Sequence, residues 1–159
     1  YKTKPYVEKW YDQKNNRNVI SHLVINKIID QFEDYAGYYG DNDDYKYAAK
    51  CYGFAKSYSL DMFNPPMLYV NKKKRWAYMT VTHAYNEAIA YRNLSNYSKA
   101  LELFKDMVSA VPNIDEWMIE KDKRIWQLMK TMDPNVGEYV NNTKSVAQHI
   151  LELNRLIEN

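Results

Sequence analysis

The chain is short of the residues that anchor small folds or carry common chemistry. It has a single cysteine, Cys51, which excludes an internal disulfide framework and any multi-cysteine zinc site; the thiol is expected to pack as a small hydrophobe. Four glycines and five prolines are too few for the many turns of an all-β domain, so an all-α chain is the reading. No apolar run approaches the roughly 20 residues that span a bilayer, and the opening "YKTKPYVEKW" lacks the hydrophobic stretch of a secretion signal. A soluble, cytoplasmic protein without membrane contact is expected, and because the sequence begins with Tyr1 a processed or truncated N-terminus stays open. Charge of one sign is missing too. With 22 basic and 20 acidic residues the net charge is +2, giving no overall field towards nucleic acid, and a nucleic-acid partner is disfavoured.

Chemical motifs are equally sparse. His22, His83 and His149 lie far apart and are expected to be ordinary surface or half-buried residues. There is no glycine-rich phosphate loop, and no His, Cys or paired-carboxylate pattern converges. No catalytic residue, metal site or cofactor is expected, and the chain is not expected to be an enzyme. The run Lys72, Lys73, Lys74, Arg75 before Trp76 reads as a solvated helix face. The glycan-acceptor triplets at Asn93, Asn96 and Asn141 carry little meaning in an Asn-rich chain.

What the chain does have is aromatic and apolar bulk at helical spacing: 46% apolar residues, including 16 tyrosines and 4 tryptophans. After a polar arm over 1–17, Ile20, Val24, Ile25, Ile28, Ile29, Phe32, Tyr35, Ala36 and Tyr39 recur at intervals of three and four, the pattern of an amphipathic helix. "GDNDD" closes it near Tyr39 and starts a second helix near Asp44, which ends before Pro65 and Pro66. A long third helix is expected over Met67–Asn93 and a fourth over Tyr97–Val111. A fifth follows over Asp115–Met132 and a last from about Thr143 to Ile157.

Two of the turns share a register. Ala88, Tyr91, Tyr97, Ala100 and Phe104 are spaced three, six, three and four apart, and Ala36, Tyr39, Tyr45, Ala48 and Tyr52 repeat the same intervals. Small residues allow close helix contact, and the aromatics fill the angle beyond the turn. The pattern resembles the tetratricopeptide repeat, with Phe32, Tyr35, Ala36 and Tyr39 in the first-helix positions and Ala48 and Tyr52 in the second. In the later copy Ala88, Tyr91, Ala100, Phe104 and Pro112 fit, while Ala84 and Glu87 stand in place of Trp and Leu. Equivalent residues such as Ala48 and Ala100 lie 52 apart, against about 34 in that family.

The resemblance implies a right-handed α-α superhelix of about three antiparallel helix pairs: units over 18–63 and 67–112, and a capping pair over 113–159. It also implies a non-enzymatic interaction module whose first helices line a concave peptide-binding groove. On the first unit that side carries Asp30, Glu33, Asp34 and Gly37; on the second, Thr82, Tyr85, Asn86, Ile89, Arg92 and Asn93. The acids favour a protein or peptide partner with basic residues. They also disfavour a clamp for a C-terminal carboxylate, because Asp30 and Asp34 stand where a cation and an amide are needed. The alternative is a ligand-sensing or dimerisation segment of a larger regulatory protein, and homo-oligomerisation stays open.

Overall fold

The computed structural model describes residues 19–63 and 76–159, with residues 19–22 and 62–63 as backbone only. Among them are six helices and no strand: α1 Val19–Asp41, α2 Tyr45–Phe63, α3 Tyr78–Asn93, α4 Tyr97–Ala110, α5 Ile114–Met132 and α6 Val146–Glu158. The arm over 1–17, Pro65, Pro66 and the basic run Lys72 to Arg75 lie outside the described residues.

The two matched turns are the same device built twice. After α1, the Asp44 N–H donates to the Tyr39 carbonyl and the Asp43 N–H to the Gly40 carbonyl. After α3, the Asn96 N–H donates to Tyr91 and the Ser95 N–H to Arg92. Asp43 and Ser95 both adopt a left-handed backbone with φ of 58°. In both turns the next side-chain oxygen caps the returning helix, Asp44 accepting from the Tyr47 N–H and Asn96 from the Lys99 N–H. Each of the four pairs is offset by the 52 residues that separate the landmarks in the sequence.

Packing follows the same register. Ala36, Ala48, Ala88 and Ala100 are all buried, Ala88 and Ala100 together in the core shared by α3 and α4. Ala48 and Ala49 meet Ala90 between α2 and α3, with Tyr39, Tyr45, Tyr52 and Tyr91 packed round them. Ile25, Ile29, Ala55 and Tyr58 form the α1–α2 core. The largest cluster joins Val81, Ala84 and Ala88 of α3 to Leu103, Phe104 and Met107 of α4, and to Ile114, Val146 and Leu153 beyond. Along the α2–α3 contact, Glu87 meets Gly53 and Lys56 while Ala90 meets Ala48, so the two helices run antiparallel and α1 runs parallel to α3.

Three expectations need correction. The third helix does not include Trp76 and Ala77: Ala77 caps α3 with an extended backbone, ψ of 165°. The last helix starts at Val146 instead of Thr143, because Ser145 and Gln148 form a reciprocal capping box there. Finally, α5 and α6 are not a packed antiparallel pair. The first turn of α5 holds α6 by its N-terminus, Asp115 accepting from the Val146 and Ala147 N–H groups at 2.6 and 3.1 Å, and α6 packs mainly on α4. The body of α5 instead reaches α3, where the Tyr78 ring lies tilted at 48° against Trp117 and its hydroxyl donates to Asp122.

Candidate functional site

The expected groove residues divide into two groups. On α1, Asp30, Glu33 and Asp34 are exposed at i, i+3 and i+4, hence on one side of the helix. Among the described residues none of the three forms an ion pair. Partial burial first, and then the neighbouring charges of Asp30 and Asp34, push the Glu33 carboxyl above its usual range. Gly37, one turn on, has open space around its Cα.

On α3 the wall is largely claimed by the chain itself. The Tyr85 hydroxyl lies 2.8 Å from the Lys144 carbonyl and 2.9 Å from His149 Nε2. Arg92 reaches His149 Nδ1 at 2.7 Å and donates to Glu152 Oε2 at 2.7 Å. Ile89 packs into the main cluster. Tyr85 and Arg92 therefore hold α6 and are not open to a ligand. Thr82, Asn86 and Asn93 lie to the side of them along α3; Thr82 donates back to the Tyr78 carbonyl, Asn86 is half-buried and Asn93 exposed at the helix end.

This polar latch has a defined protonation state. A guanidinium has no acceptor, so Arg92 must donate to His149 Nδ1, which leaves the imidazole proton on Nε2. Nε2–H then donates to the Tyr85 oxygen, and the Tyr85 hydroxyl donates onward to the Lys144 carbonyl. The ring is only 4% exposed and stacks on Phe104, centroids 4.7 Å apart and nearly coplanar at 8°. Burial, with the Arg92 and Lys144 charges, lowers the His149 pKa to about 4. Glu152 accepts from Lys144 and Arg92, which lower its pKa to about 2. Because Tyr85 pairs with residues 144 and 149, and Arg92 with 149 and 152, α6 runs parallel to α3.

Two of the histidines thus depart from the expectation of surface or half-buried residues. His83 is 1% exposed, neither ring nitrogen has a hydrogen-bond partner among the described residues, and burial lowers its pKa to about 4 against the raising field of Asp30. The side chain of His22 lies outside the described residues. His83 and Glu87 stand one turn apart, the spacing of a helical metal pair. Glu87, however, is bonded to Lys56 at 2.5 Å, and among the described residues no group of three His, Cys, Asp or Glu side chains is placed to hold a metal ion. Cys51 is buried, and burial raises its thiol pKa. No described helix is long and apolar enough to cross a membrane.

Sequence reasoning placed the acids of α1 on one side of a helix, where they are exposed, and missed the latch. The signal available was His149, which shares the apolar side of the last helix with Val146, Ile150 and Leu153, the place for a buried imidazole. Comparison with protein-family models, with curated proteins and with solved structures found no match to the chain.

Proposed function

We propose that the chain is a non-enzymatic interaction module, a right-handed tetratricopeptide-like array whose first helix binds a basic protein segment. The observation that carries this reading is the carboxylate cluster of Asp30, Glu33 and Asp34, exposed along one side of α1 and forming no ion pair with a described residue. Like charges at these spacings cost a helix a few tenths of a kcal/mol per pair, and a Lys or Arg side chain arriving there would relieve that repulsion. The duplicated turn and the four buried alanines support a repeat architecture. The occupied Tyr85 and Arg92 confine the contact to α1 together with Thr82, Asn86 and Asn93.

The test is titration with a labelled peptide of alternating Lys and apolar residues, followed by fluorescence anisotropy. Binding is expected to weaken as salt rises, since exposed charges are screened beyond about 10 Å at 0.1 M. Asp30→Lys with Asp34→Lys should abolish it while the helical circular-dichroism spectrum is kept. Equal binding by the reversed variant would remove α1 as the site.

A further inference from the structure

We infer that α6 is the docking face for α6 of a second copy of this chain, in an antiparallel pair about a two-fold axis at Leu151. The reasoning begins with what α6 lacks. α1 is covered by the antiparallel α2, and α3 by the antiparallel α4. α6 runs parallel to α3 and packs on α4 as a third first-helix would, yet among the described residues no antiparallel helix covers its far side, because α5 touches it mainly by the first turn. A groove of about 550 Å³ marks the place, walled by Val108 of α4, Ile114 at the start of α5, and Ala147, Ile150 and Leu151 of α6. Leu151 is 53% exposed and Val108 41%.

Charge complementarity selects a second copy as the occupant. Ala147, Leu151, Asn154 and Glu158 lie on one side of α6 at i, i+4, i+7 and i+11. A two-fold axis through Leu151 sets the small Ala147 opposite Arg155 of the second copy. The Ala147 N–H is held by Asp115, so the arriving guanidinium meets the first turn of α5, where Glu116 is exposed. Arg155, Glu116 and Glu158 are exposed and form no ion pair with a described residue. The symmetry makes every complementary pair twice, as an isologous interface requires. A helix lying parallel, by contrast, would bring Arg155 to Arg155 and Glu158 to Glu158.

Sedimentation velocity on the full chain over a range of micromolar concentrations tests this. The chain is expected to dimerise, and Leu151→Asp to be monomeric with an unchanged helical spectrum; its melting temperature should match the parent's only at concentrations too low for the dimer, since Leu151 is exposed in the single chain and association itself stabilises the parent. Arg155→Glu should weaken the dimer about tenfold, and adding Glu116→Arg to it should restore association. Leu151→Cys should cross-link to itself on oxidation, because a disulfide needs Cα atoms within about 7 Å and only a residue near the axis meets its own copy. A chain that is monomeric throughout overturns the inference. So does a dimer that survives Leu151→Asp, which would move the contact to another surface such as the exposed Ile125, Leu128, Met129 and Met132 of α5. The peptide site on α1 shares no residue with this face, so either result stands apart from the peptide titration.

Discussion

At the scale of single residues, Glu87 shows how one substitution in a repeat register is absorbed. It stands where the resembled pattern has Leu, and it is buried, with a side chain 9% exposed against 19% for its partner Lys56. The space it needs comes from Gly53, where an added Cβ would lie 3.1 Å from Glu87 Oε1. A buried pair of this kind contributes little relative to an apolar pair, but breaking it leaves an uncompensated charge. Lys56→Met alone should therefore cost roughly 2–4 kcal/mol, whereas Lys56→Met with Glu87→Leu should return to within about 1 kcal/mol of the parent. Urea unfolding of the four chains of this cycle measures both. Additive losses would show that the two side chains are not coupled.

At the scale of elements, the hairpins α1–α2 and α3–α4 were legible in the sequence because their determinants are local. A turn that needs a left-handed residue, a cap that accepts from the N–H three residues on, and a buried alanine on each side of the turn lie within a short stretch of chain. Ala48 and Ala100 are both fully buried, so Ala48→Leu and Ala100→Leu should each destabilise by roughly 1–3 kcal/mol through overpacking. Thermal melts would show it, and neutral behaviour at both positions would mean that the matched spacing is not a packing register. The place of α6 was not legible in the same way. It rests on Tyr85 and Arg92 meeting residues 57 to 64 positions away, and no local spacing encodes such a contact.

At the scale of the whole molecule, two buried neutral histidines make stability depend on pH. His83 and His149 titrate at about 4 in the folded chain against 6.5 when free. Above 6.5 both states hold them neutral and stability is at its full value. As pH falls from 6.5 towards 4 the unfolded chain takes up protons that the folded chain refuses, and stability drops by up to about 1.4 kcal/mol per pH unit for each histidine. Glu152 adds a further loss between 4.5 and 2, where its folded carboxylate resists protonation that the unfolded one accepts. Urea midpoints should therefore fall between pH 7 and pH 5, and His149→Gln should remove about half of that slope. A flat profile would mean that neither imidazole is held neutral.

The sequence by itself determined the helical class, the two matched hairpins and the acidic side of α1, because each depends on side-chain size, periodicity or charge within a few turns. The tertiary structure decided that Tyr85 and Arg92 close on His149, that α5 leaves α6, and that α6 seats on α4 beside α3. The physical reason is competition. An amphipathic helix such as α6 carries the same apolar stripe whichever partner it covers, and the choice is made by a hydrogen-bond set, Tyr85, Arg92, His149 and Glu152, that exists only when distant segments meet.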